Sequence, residues 1–290
     1  MPPIPSQHFK LLVRCSAVYL ALFSAQLNAT AAEVLTATSR TLPVIGTTWC
    51  YSIGYSQPST MTLKGVSAGI ARYDIGGPGA ITRIEEQTDT YTSVNATRHG
   101  QRKLLVFPLA KDRKWSDEFT EDLTSHLGSA AEMEFNYHAI SQSHVIGTEK
   151  RHVGAGTFDT FVIERNTAWT KSNPRSSSKL LQAQQCGDAD CTVTGYSKEV
   201  YWYAPSVGRA VLRAYSQSGD SDFVWNLSPD ELLSNASSLV TELIGYGRAG
   251  TCEDLHPPLL ARIPSAPWYG FPLLMNNTWE FLMQRNMAPE

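Results

Sequence analysis

The most catalytic-looking string in this 290-residue chain is Gly65-Val66-Ser67-Ala68-Gly69, a match to G-x-S-x-G. In serine hydrolases that pattern exposes the serine on a strained strand-to-helix turn, beside amides that stabilise an oxyanion. Here the following residues, Ile70-Ala71-Arg72-Tyr73-Asp74, carry no helical period, and no alternation of strands and helices surrounds them. Small residues in a strand or bulge account for the string equally well, so a secreted hydrolase using Ser67 is kept only as the alternative. His138 and His144 would share one face of a regular strand, with His152 eight residues further on. Zinc asks for three or more converging ligands with partners behind them, which this spacing does not supply, so no metal is expected. Asp188-Ala189-Asp190 lacks the remaining ligands of a calcium loop. Glu85-Glu86 and Asp117-Glu118 are adjacent pairs, and neighbours on a strand face opposite ways, so neither forms a glycosidase dyad. Glycines 76, 77 and 79 are followed by no Lys-Ser/Thr, so no phosphate loop and no cofactor is implied.

Aromatic residues are the remaining chemical resource. Trp49, Tyr137, Phe161, Tyr201, Trp202 and Tyr203 are expected on strands. Some of them would line a concave surface able to take a lipid, a hydrophobic peptide or a cell-envelope partner, or would simply be core.

The cysteines speak to compartment. Residues 1–14 carry Lys10 and Arg14 without an acid, an apolar run follows over 16–27, and Ala29-Thr30-Ala31 offers a cleavage site. This is the anatomy of a signal peptide, residues 1–32, cut near Ala31 or Ala32 for the periplasm or secretion. About 12 apolar residues are too few for a bilayer span, and no transmembrane segment is expected in the mature chain. Cys15 follows Leu12-Val13-Arg14, which is not a lipid-attachment sequence. Four cysteines remain in an exported chain, which suggests disulfides. Cys186 and Cys191 close a small loop of turn formers and are expected to pair, leaving Cys50 for Cys252. Closing roughly 200 residues would stabilise by several kcal/mol, about 5 in the chain-entropy account. Four zinc-binding thiolates would need two short paired spacings, and these are absent. Loss of residues 1–32 removes two cations and no acid, moving the net charge from −3 to −5 (22 basic against 27 acidic residues). A mildly acidic protein with no basic stripe argues against nucleic acid as a partner.

The elements that must position these groups are mostly strands. Trp49, Tyr51 and Ile53 alternate in a first strand, followed by runs at 61–70 and 81–85 and a hairpin of 90–94 with 103–107. Residues 108–131 read as a connection with a helical turn over 117–127, and Glu33 to Arg40 as a loose polar leader. Strands at 132–145, 157–166, 193–204 and 209–217 follow, with 170–191 as an exposed excursion. One amphipathic helix is expected over 229–244: Ser228 caps it, Pro229 opens it, and Leu232, Leu233, Ala236, Leu239, Val240, Leu243 and Ile244 form its stripe.

Val153-Gly154-Ala155-Gly156-Thr157-Phe158-Asp159-Thr160-Phe161-Val162-Ile163-Glu164, with Tyr201-Trp202-Tyr203-Ala204-Pro205-Ser206-Val207-Gly208-Arg209 some forty residues on, resembles a TapB-like family. These are exported bacterial proteins of unknown function with a curved β-sheet related to the lipoprotein carrier LolA. The likeness covers residues 130–246, and Gly154 stands where that family commonly has proline. It implies a fold and no reaction. The expected fold class is mainly β (α+β), a curved antiparallel LolA-like half-barrel covered by one amphipathic helix. That domain would span 42–248, with a tail at 249–290 tied back through Cys252. The expected function is non-catalytic binding of an apolar ligand or an envelope partner on the concave face, without cofactor.

Overall fold

In the computed structural model, residues 35–54, 58–77, 80–127, 131–176, 192–218 and 223–247 are described, and all belong to one unit that begins at Leu35. The strands are β1 (Thr48–Ile53), β2 (Ser59–Ser67), β3 (Ile70–Gly77), β4 (Ala80–Gln87), β5 (Thr92–Ser93), β6 (His99–Gln101) and β7 (Lys114–Leu127). The long β8 (Ala131–Val153) and β9 (Gly156–Ser176) follow, then β10 (Val193–Ala204) and β11 (Arg209–Gln217). A short helix α1 (Pro229–Ser234) precedes the last described strand, β12 (Leu239–Gly247).

These strands form one antiparallel sheet in the order β5-β4-β3-β2-β1-β12-β11-β10-β9-β8-β7-β6. Read from β1 outwards, each strand lies beside its neighbour in sequence, and β12 returns to pair with β1. The interruption falls between β5 and β6, which form no ladder with each other.

Side chains measure how far the sheet curls. Five strand spacings separate β4 from β11, about 24 Å if the sheet were flat. Yet Glu86 of β4 meets Arg209 of β11 at 3.0 Å. Such a meeting is geometrically available only on the concave side of a strongly curved sheet. Its two edges also approach each other: Thr92 Oγ1 donates to the Arg102 carbonyl at 3.0 Å, and Asn95 Nδ2 donates to Glu121 of β7 at 3.1 Å.

Local sequence explains the tight connections. Ala68 and Gly69, both at positive φ (50° and 76°), make the two-residue turn between β2 and β3. Gly208, at φ +71°, ends the 205–208 turn before β11, and a Cβ there would lie 2.3 Å from the Thr41 carbonyl oxygen. Only glycine lets the leader pass so close.

Several expectations change, and residues 170–176, expected in an exposed excursion, extend β9. The helix expected over 229–244 is six residues long and buries only Leu232. Its predicted cap is present, with Ser228 and Glu231 bonding reciprocally, but Leu239, Val240, Leu243 and Ile244 belong to β12. Pairing with both β1 and β11 satisfies that segment's backbone and overrides its helical stripe. The segment expected as a helical connection, 117–127, is strand β7. The expected hairpin of 90–94 with 103–107 is absent, and β5 and β6 are opposite ends of the sheet. The leader is not loose. Ala37 is buried and exchanges backbone bonds with Leu109 at 3.4 and 2.7 Å, and Leu35 packs into the same cluster.

Candidate functional site

Ser67 ends β2 and leads into a strand-to-strand hairpin, not a strand-to-helix elbow. Its hydroxyl accepts from Arg72 Nη1 at 2.8 Å in an exposed position. The geometry that makes G-x-S-x-G catalytic is therefore not formed. The three histidines do not converge on a common ligand: His138 bonds Glu118 at 2.9 Å, His144 faces Asp112 at 3.7 Å, and His152 bonds Thr157 at 3.0 Å. Among the described residues, no group of three or more His, Cys, Asp or Glu could hold a metal ion. Cys50 is buried in β1, while Cys186, Cys191 and Cys252 lie outside the described residues, as do residues 1–32 and 249–290.

The six aromatic candidates are all buried, none more than 5 % exposed, and they fall into three packing clusters. Trp49 and Trp202 join one that links β1–β4 with β9–β12 and includes Leu232 of α1. Phe161, Tyr201 and Tyr203 join a second with Leu105, Leu109 and Ala37, and Tyr137 joins a third with Phe119 and Trp169. Strand alternation separates Trp202 from its neighbours: Tyr203 is opposite Phe161, Tyr201 opposite Ile163, and Trp202 opposite Val162. The apolar surface of Phe161, Ile163, Tyr201 and Tyr203 is covered by the leader and by the connection between β6 and β7.

The concave side also holds a buried ionic centre that motif reasoning missed. Glu86 accepts from Arg209 Nη1 and Nη2 at 3.2 and 3.0 Å, a two-pronged pairing. Its Oε1 lies 2.6 Å from Arg40 Nη2, and the three side chains are 1–3 % exposed. Tyr91 lies between the two guanidiniums, with the Arg40 and Arg209 Cζ atoms 4.5 and 4.9 Å from its ring centre. Tyr73 donates to Glu86 at 3.4 Å, and Tyr51 donates to the Ala210 carbonyl at 2.9 Å. Burial pushes the Glu86 carboxyl up, but Arg209 and Arg40 outweigh it and hold the group below the ordinary carboxylate value. Burial, then the Glu86 charge, pushes Tyr73 up to about 12. Burial likewise raises Tyr51 and Tyr203, so these phenols stay neutral.

A second centre stands under β7. Arg165 forks onto Asp117 at 2.7 and 2.8 Å and also donates to Ser141, Ser143 and the Lys103 carbonyl. Both acidic dipeptides divide as strand geometry requires. Glu86 and Asp117 turn inward, while Glu85 pairs with exposed Arg72 and Glu118 with His138. The available sequence signal was an arginine inside an apolar strand, as in Val207-Gly208-Arg209-Ala210-Val211. A cation placed there must find a buried partner.

No known protein family matches the chain, and no curated protein does. Among solved structures, it is similar to one described as a "putative lipoprotein" from Parabacteroides distasonis, with 15 % identity and a TM-score of 0.38. That alignment covers 73 % of this chain and 99 % of the other. It is also similar to the hypothetical lipoprotein YmcC from Escherichia coli, with 8 % identity and a TM-score of 0.32, over 86 % of this chain and 100 % of the other. Scores this low support no argument about fold or activity. No helix among the described residues is long and apolar enough to cross a membrane.

Proposed function

We propose that the chain is an exported cell-envelope protein that acts by non-covalent binding of an apolar ligand at the concave face of its sheet. The observation that carries this reading is the cover over that face. Phe161, Ile163, Tyr201 and Tyr203 are sealed by Ala37, Leu105 and Leu109, none of which belongs to the sheet. Backbone bonding between the two covering segments is the isolated Ala37–Leu109 bridge. Leu104 and Leu105 also donate to the Thr90 carbonyl, and Asp112 and Arg113 bond Val145, so 102–113 is anchored and the leader around Ala37 is the part that a ligand could displace.

Export rests on residues 1–32 as a signal peptide. The Cys50–Cys252 and Cys186–Cys191 pairings are part of the same reading, which is supported by Cys50 being disulfide-bonded. The TapB-like, LolA-related assignment is supported by the placement of residues 153–164 and 201–209 along β8–β11 of a curved antiparallel sheet. Residues 42–248 are the proposed domain, and Leu35, Ala37 and Arg40 pack into the same body.

Native mass spectrometry of the protein purified from an exporting bacterial host, combined with displacement of a hydrophobic dye, tests the reading. The expected result is co-purified lipid or a dye that lipid displaces, with affinity lowered when Leu109→Asp disturbs the cover. Repeated absence of both lipid and dye binding would overturn it.

A further inference from the structure

Among the described residues, the charged side chains of the Glu86 centre are two guanidiniums and one carboxylate. Arg40 and Arg209 bring two positive charges, Glu86 brings one negative, and tyrosines surround them. Among the described residues no second carboxylate joins the cluster. A net positive charge with 1–3 % exposure is costly unless an anion accompanies it.

Arg40 Nη1 and Tyr203 Oη are among the polar atoms there that lack a hydrogen-bond partner. Both are fully enclosed. Tyr203 is 1 % exposed, and the remaining donors of Arg40 are engaged, with Nε on the Gly208 carbonyl at 3.0 Å and Nη2 on Glu86. Both groups border the same ring: Arg40 lies over Tyr91, and Tyr203 packs edge-on against it at 6.2 Å. Buried donors of this kind are nearly always satisfied. A guanidinium N–H and a phenol O–H, beside a surplus positive charge, both select a small acceptor of single negative charge.

We propose that Arg40 Nη1 and Tyr203 Oη form a binding site for one monovalent anionic group, either a free halide or the carboxylate of an amphiphile. The site does not depend on the apolar-ligand reading, because a halide would fill it without any lipid. Arg40 belongs to the leader, so an anion here would also fasten that segment over the concave face.

The test uses the full exported chain. Crystals soaked in sodium bromide are examined for anomalous signal, and thermal unfolding is compared in bromide and gluconate at equal ionic strength. Palmitate and hexadecanol are compared in parallel. Bromide between Arg40 and Tyr203, with stabilisation specific to bromide over gluconate, identifies a free-anion site. Palmitate binding at least tenfold tighter than hexadecanol, with its carboxylate at the same two atoms, identifies an amphiphile headgroup. Tyr203→Phe, which keeps the ring packing, should weaken either ligand about tenfold, the value of one hydrogen bond to a charged group. Arg40→Gln should abolish binding. Water alone at the two atoms, with unfolding indifferent to the anion and palmitate no better than hexadecanol, overturns the proposal. Should bromide bind while neither palmitate nor hexadecanol does, the anion site stands and the apolar-ligand reading fails.

Discussion

Replacing Glu86 by glutamine would leave Arg209 and Arg40 facing each other across a buried amide. The substitution is nearly isosteric, so packing is retained and the lost charge is isolated. Breaking a buried pair by removing one partner costs about 3–5 kcal/mol. Here one carboxylate serves two guanidiniums, at 3.0 and 2.6 Å, which favours the upper part of that range. With a urea dependence of about 3 kcal/mol/M, the midpoint should fall by roughly 1–1.7 M. Fluorescence of the buried Trp49, which lies 5.5 Å from the Arg209 guanidinium, reports the transition. The adjacent Glu85→Gln is the control: its surface pair with Arg72 is about half exposed, and it should stay within about 0.5 kcal/mol of the parent. Acid provides an independent check. Arg209 and Arg40 hold the folded carboxyl of Glu86 below the ordinary carboxylate value. Its contribution is therefore complete above the unfolded value and is lost as pH falls below 4.5 through the lower folded value. The parent should lose stability over that window, and Glu86→Gln should lose less, so the two curves converge. A variant within 1 kcal/mol of the parent at pH 7, or a gap that does not narrow in acid, would refute the reasoning.

Asp117→Asn should cost about 3–5 kcal/mol in the same urea assay, because Arg165 is left without its fork partner, whereas Glu118→Gln should cost under about 0.5 kcal/mol. Gly208→Ala sets a Cβ 2.3 Å from the Thr41 carbonyl at φ +71°; a loss of about 1–3 kcal/mol and faster proteolysis within residues 35–45 are expected. Ser228→Ala removes one half of the capping box and should cost about 1 kcal/mol, read as faster amide exchange in α1, with β12 protection unchanged.

Strands whose partners are close in sequence were legible from their residues. β10 and β11 run over 193–204 and 209–217 as read, because aromatic and β-branched residues flank the Pro205–Gly208 turn. β7 was not legible. Its inward positions, Trp115, Asp117, Phe119, Glu121 and Leu123, mix apolar groups with two acids and so lack a strand's apolar alternation. Those acids are buried because Arg165 lies 48 residues away and Arg98 and Arg102 reach Glu121. A single sequence does not display such pairings. β12 misled for the opposite reason. Its apolar residues fit a helical stripe, but they serve two faces of a sheet. Alternation sets the two members of each acidic dipeptide on opposite faces of the strand, so one member of each, Glu86 and Asp117, points inward.

The pairing of β1 with β12 makes the strand order a necklace with a clasp, and the β5–β6 gap is a second place to open it. Rejoining the chain across the clasp and cutting it within 94–98 would preserve the ladder between every pair of neighbouring strands. In the natural order, the flank of β1 away from β2 has no strand beside it until β12 arrives, so an emerging chain carries that flank exposed through most of its synthesis. The rearranged chain would begin with β6 and end with β5, form the clasp in mid-synthesis, and leave last only two edges of two and three residues.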